Sequence, residues 1–140
     1  MKILVAADGS PYTKHMIAYL AAHAEWLVAG HEITVITISP PVPPRATAML
    51  DKELLKSYYD DEAEKVFKPL RTFLAKQGVD AKFVHKIGHA AEVIAKTAES
   101  GDFDLVMLGS HGHGALTNLV MGSVATKVIA GCKVPTLLIR

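Results

Sequence analysis

The sequence predicts an α/β fold: a single doubly wound, open parallel sheet of five strands with helices on both faces. Three observations lead there. Short apolar runs alternate along the chain with longer stretches of helical period. Turn residues punctuate the alternation at Asp8-Gly9-Ser10, Gly30, Gly78, Gly88 and Gly101. The first and fourth runs, Ile3–Ala7 and Leu105–Leu108, are apolar throughout, as strands covered on both faces of a parallel sheet are.

Ile3-Leu4-Val5-Ala6-Ala7 forms the first strand and stops at Asp8-Gly9-Ser10-Pro11. Ser10 suits an N-cap and Pro11 the first helical position, so the first helix begins there. Ile17, Leu20, Ala21, Ala24, Leu27 and Val28 then share one stripe until Gly30 ends it. Ile33 to Ile38, β-branched at nearly every position, is the second strand. The prolines of Ser39-Pro40-Pro41-Val42-Pro43-Pro44 neither continue a sheet nor start a helix at once, which predicts an extended surface loop. From about Leu50 to Lys76 the helical period returns, with Ala63, Val66, Phe67, Leu70, Phe73 and Leu74 on one face. Pro69 inside that pattern is expected to kink the helix or split it near Lys65. After Gly78, Ala81 to Ile87 sets Lys82 and Lys86 against Phe83, Val84 and Ile87, a third strand with some exposure. Gly88-His89 leads into a third helix, Ala90 to Glu99, closed by Gly101. Leu105 to Leu108 is the fourth strand, Val124 to Ala130 the fourth helix and Val134 to Ile139 the fifth strand.

With 140 residues, half of them hydrophobic, the chain makes one domain, 1–140, with a core of its own. The net charge is +1 and the basic residues are scattered, which argues against a dedicated nucleic-acid or membrane surface. Cys132 has no partner for an internal disulfide, and Met1-Lys2-Ile3-Leu4-Val5 runs into polar Asp8 instead of a long signal segment. The cytoplasm is the expected compartment.

Chemistry gathers after the fourth strand, in Gly109-Ser110-His111-Gly112 followed nine residues later by Gly122-Ser123. Strand, glycine-rich loop, hydroxyl and helix start is the order that builds a phosphate cradle. Glycines let the backbone approach an anion and take φ > 0, and the first amides of the helix point at it. The pattern is not a P-loop, and Thr117 stands where a dinucleotide fingerprint begun at Gly112-His113-Gly114 would place its third glycine. The architectural alternative is that Gly109 ends a strand, Gly112 and Gly114 turn the chain and Gly122 allows close packing. Ligands of open α/β sheets bind beyond the carboxyl ends of the strands, where strand order reverses. For Asp8-Gly9-Ser10 and the Gly109 loop to line one site, strands one and four must be neighbours, which gives the order 3-2-1-4-5. The order 2-1-3-4-5 would separate them. A response-regulator site would also need an aspartate at the end of strand three, where Lys86-Ile87-Gly88 stands.

Ala7-Asp8-Gly9-Ser10, Gly109-x2-Gly112-x9-Gly122-Ser123 and Val134-Pro135-x-Leu137-x-Ile139 together resemble the universal stress protein family, over essentially the whole chain. The glycine spacing is the one that marks that family's ATP-binding members. The resemblance implies a stress-response or signalling protein that binds an adenine nucleotide, ATP or else AMP or ADP. It places Asp8 near ribose and adenine, Ala6 and Ala7 beside the base, and the Ile38 backbone against the adenine. Gly109 and Gly112, with Leu108 and His113 flanking them, would pass close to ribose and phosphates. Gly122, Ser123 and Val124 would hold the phosphate chain, with Mg²⁺ bound through the phosphates and Ser123.

No lysine lies between Gly109 and Ser123, and only Lys127 is near in sequence. Backbone amides, the helix dipole, Ser123 and a metal must therefore stabilise the phosphates. Without a Walker lysine, an arginine finger or a second carboxylate beside Asp8, no catalytic residue is assigned and any ATP hydrolysis is expected to be slow. Ser110 lacks the Gly-x-Ser-x-Gly setting of a hydrolase. His111 and His113 lack the remaining ligands of a zinc site, and His85 and His89 read as surface residues. The fifth strand carries no charge before Arg140, so Val134, Thr136, Leu137, Leu138 and Ile139 present an unprotected edge. A homodimer through it is expected, as the resemblance also implies. Two alternatives stand beside nucleotide binding: a homodimeric interaction protein of the same fold that binds no nucleotide, and a slow ATPase.

Overall fold

Alternate side chains of a strand face opposite ways, so a strand apolar at every position needs cover on both sides. The computed structural model, which describes residues 1–113, 118 and 120–140, meets that need. Five parallel strands, β1 (Lys2–Ala6), β2 (Glu32–Ser39), β3 (Ala81–Ile87), β4 (Leu105–Gly109) and β5 (Thr136–Ile139), lie in the order β3-β2-β1-β4-β5. Helices α1 (Pro11–Ala22), α2 (Ala24–Leu27) and α4 (Lys52–Lys76) follow the first two strands, with a short α3 (Pro44–Thr47) before α4. Helices α5 (Ala90–Ser100) and α6 (Ser123–Gly131) follow β3 and β4. Ile3, Val5 and Ala7 pack with Met16, Ile17, Leu20, Phe67 and Leu74 of α1 and α4. Leu4 points the other way, to Ile94 and Ala98 of α5 and Val128 of α6. Ile3, Leu4 and Val5 are each fully buried, and each contributes about 1.5–3 kcal/mol by leaving water. That burial fixes β1 at the centre of the sheet.

Register then decides where the strands end together. Val5 sits opposite Val35 of β2 and Met107 of β4. The turn after β1 and the glycine loop after β4 therefore emerge side by side. The chain crosses from β3 at one side of the sheet to β4 at the other, so strand order reverses between β1 and β4, as the polar strand ends predicted.

Four local expectations are corrected. The first helix is interrupted at His23, whose amide and Nδ1 both reach the Tyr19 carbonyl, at 3.1 and 2.9 Å, while its ring stacks on Tyr19. The proline-rich segment does start a helical turn, at its last proline: Pro44 occupies the first position of α3, where its missing N–H costs nothing. Asp51 then caps α4 by accepting from the Leu54 amide at 2.7 Å. Of the two outcomes expected at Pro69, the split does not occur: α4 runs unbroken from Lys52 to Lys76 with the proline inside it. The carbonyl it deprives of a partner is that of Lys65, on the exposed side where water can serve, while Tyr59, Ala63, Phe67, Leu70 and Leu74 hold the buried side to the sheet. Phe73 lies outside that buried set and is exposed.

Candidate functional site

At the carboxyl ends of β1 and β4 the described residues enclose a cavity of about 380 Å³. Ala6, Ala7 and Asp8 come to it from the end of β1, Ile38 from β2, and Leu108, Gly109, Gly112 and His113 from β4 and its loop. Gly122, Ser123 and Val124 enter from the start of α6. All eleven residues singled out in the sequence thus line one space. Gly114 and Thr117 lie outside the described residues.

The turn after β1 is built around the Asp8 carboxylate. Gly9 takes φ +80°, which only glycine adopts without strain, and this swings the chain back toward its own carboxyl group. Oδ1 of Asp8 accepts from the Ser10 amide and from the Thr13 hydroxyl, each at 2.9 Å. Thr13 Oγ1 in turn accepts from the amides of Asp8 and Gly9, at 3.0 and 3.2 Å. Ser10 holds the N-cap position of α1, as expected, but its buried hydroxyl lies by the carboxylate without good hydrogen-bond geometry to any group. Thr13, not Ser10, ties this turn together.

Across the cavity mouth, the His113 amide donates to Asp8 Oδ2 at 3.2 Å and His113 Nε2 donates to the Asp8 carbonyl at 2.8 Å. The glycine loop is thereby fastened to the β1 turn. Burial pushes the Asp8 carboxyl up, but the hydrogen-bonding groups of Ser10, the Thr13 hydroxyl and the His113 amide together outweigh it and hold the group below its ordinary range.

The glycines serve by what they leave open. None of Gly109, Gly112 and Gly122 has the positive φ expected of a cradle glycine. A Cβ on Gly112 would strike the Asp8 carboxylate, and one on Gly109 would meet Tyr12 Cβ at 3.0 Å. On Gly122 it would meet His111 Cα at 3.1 Å and the Ser110 carbonyl at 3.3 Å. Gly122 also donates its amide to that carbonyl at 2.6 Å, which seats the start of α6 directly on the glycine loop. The first amides of α6, which no helical carbonyl can accept, belong to Ser123, Val124 and Ala125, and all three residues line the cavity.

The opposite end is apolar, with Ala6, Ala7, Ile38 and Leu108 joined by Ala90 and Ile94 of α5. Ala90 and Ile94 were missed because their four-residue spacing reads as an ordinary core stripe. Thr13 was missed because its role exists only once Gly9 has turned the chain. His111 also lines the cavity, with Nδ1 hydrogen-bonded to Ser110 Oγ at 2.9 Å. His85 shares a hydrogen bond with Ser39 at 2.8 Å at the β2–β3 end and stands apart from the cavity. Among the described residues no group of three or more His, Cys, Asp or Glu side chains could hold a metal ion, and no helix is long and apolar enough to cross a membrane.

Comparison with known proteins agrees with this architecture. A universal stress protein of Thermus aquaticus is 33% identical over 138 residues, 99% of this chain and 97% of that protein. Another, from Synechocystis sp., is 30% identical over 140 residues, and this chain spans 99% of itself but only 42% of that longer relative. The structure of a universal stress protein from Lactobacillus plantarum matches with a TM-score of 0.82 at 19% identity, over 100% of this chain and 97% of that one. A family member from Arabidopsis thaliana solved with AMP bound gives 0.70 at 14% identity, over 99% and 90% of the two chains. One from Archaeoglobus fulgidus in complex with dAMP gives 0.68 at 19% identity, over 100% and 98%. These structural likenesses establish the fold. The model of the universal stress protein family matches residues 1–140, and the chain belongs to that family.

Proposed function

We propose that the cavity binds an adenine nucleotide and that the protein works as a nucleotide-responsive binding protein in a stress response, with no catalytic residue of its own. The observation that carries this is the polarity of this cavity: an apolar slot at the Ala6–Ile38–Leu108 end and, at the other, the first amides of α6, from Ser123 onward, which no helical carbonyl accepts. A flat base fits the first and a phosphate the second, with Asp8 between them to accept from ribose hydroxyls. Relatives solved with AMP and dAMP make an adenine nucleotide the natural occupant. A polyphosphate such as ATP would bring Mg²⁺ with it. Asp8 has both carboxylate oxygens engaged in hydrogen bonds, so the exposed Ser123 hydroxyl is the better placed protein oxygen for that ion. Titration calorimetry with AMP, ADP and Mg-ATP tests the reading. Saturable binding of at least one of them is expected. No heat from any of the three at roughly millimolar concentration would leave the fold with the interaction role alone.

We also infer that two copies pair through β5, in the cytoplasm, where the single free Cys132 would stay reduced. The sheet order leaves β5 at an edge, with Thr136, Leu137 and Leu138 only half-buried and Val134 beside them. Ile139 is already buried against the core, so the half-covered residues are the ones a second copy would complete. Leu138→Lys should halve the mass measured by size exclusion with light scattering while the far-ultraviolet dichroism stays unchanged. A wild-type chain of monomer mass overturns the pairing.

A further inference from the structure

Resting on the nucleotide reading above, we propose that this site selects a nucleoside monophosphate over the corresponding metal-free triphosphate, so that a triphosphate is held only together with its cation. The whole stretch from Gly109 to Thr126, which supplies the loop and the first turn of α6, contains no Lys, Arg, Asp or Glu. The nearest cation in sequence, Lys127, does not face the cavity: it lines a separate groove between α5 and α6 with Glu92, Lys96 and Glu99. Lys86 stands in register with Ile38, at the base end, and does not line the cavity either. Among the described residues, the only ionisable side chains that do are Asp8, His111 and His113. The two imidazoles are hydrogen-bonded to the Ser110 hydroxyl and the Asp8 carbonyl, and the carboxylate adds negative charge.

What remains for an anion is the end of one helix, worth roughly half a positive charge, and a few amide donors. A monophosphate brings about two negative charges near neutral pH, and each further phosphate adds about one more. The first phosphate finds the α6 amides. Without a metal ion, a second and third would give up their hydration with no cation among the described lining side chains to receive them, in a cavity that already holds a carboxylate. Charge in excess of the helix end thus counts against binding, and the monophosphate has the least of it.

Calorimetric titration with AMP and with ATP, both in the presence of a chelator and at one pH, measures the preference directly. AMP is expected to bind at least about tenfold more tightly than metal-free ATP. His113→Arg, which sets a permanent cation on an exposed position of the lining, should narrow or reverse the ratio. Metal-free ATP binding as tightly as AMP, or more tightly, in the wild-type protein would overturn the selection while leaving the nucleotide site intact. Failure of both nucleotides, with or without Mg²⁺, overturns the nucleotide reading and the selection with it.

Discussion

Gly122→Val should lower stability by about 1–3 kcal/mol, as overpacking of a tight contact does, and reduce nucleotide affinity by more than about a hundredfold. The reason is space. A Cβ at this position would sit 3.1 Å from His111 Cα and 3.3 Å from the Ser110 carbonyl, and both of those atoms are backbone. Neither can rotate away as a flexible side chain would, and valine adds two methyl groups beyond the Cβ. Relief requires α6 to lift off the glycine loop, which breaks the 2.6 Å bond from the Gly122 amide to Ser110 and turns the first amides of the helix away from the cavity. Gly122→Ala should show a reduced form of both effects. Urea unfolding without ligand and calorimetry with AMP separate the two consequences. A valine variant as stable as the wild type and equally competent to bind would show that close seating of α6 is not required.

The glycine positions illustrate what a sequence discloses and what it withholds. Their spacing marked the loop, and the sheet order followed from the polar ends of the first and fourth strands, because only neighbouring strands can bring two such turns together. The strands were legible because Ile3–Ala7 and Leu105–Leu108 are apolar at every position, a pattern few other environments accept. The reason for the glycines was not legible. Residue type permits positive φ, whereas the fold asks Gly109, Gly112 and Gly122 for room beside Tyr12, Asp8 and the Ser110–His111 backbone. Room depends on which distant segments arrive. Ser10 shows the same limit from another side: the best capping residue by type occupies the cap, but Thr13 makes the bonds, because the Gly9 turn brings two amides to its hydroxyl. At Pro69 the rule that proline breaks helices yields to tertiary packing, since five buried residues on one face of α4 hold the helix on both sides of it.

Asp8→Ala is expected to cost about 1–3 kcal/mol, because it strips one acceptor from three donors, the Ser10 amide, the Thr13 hydroxyl and the His113 amide. The figure stays at that level because Asp8 remains exposed on its cavity side, where water can replace part of what is lost. The His113 amide is the consequential donor. Losing its partner loosens the glycine loop from the β1 turn, so affinity for AMP should fall by roughly tenfold in parallel with stability. Asp8→Asn keeps one acceptor oxygen and should lie between the two. It also isolates the role of the charge through pH. The folded carboxyl titrates below its ordinary value of 3.8, so the folded state favours the ionised form. The resulting stabilisation is complete above about pH 4 and is lost as pH falls through the lowered folded value. The difference in unfolding free energy between wild type and Asp8→Asn should therefore be flat near neutrality and shrink in acid. A difference that holds constant down to about pH 2 would mean that the three donors recognise the shape of the side chain and not its charge.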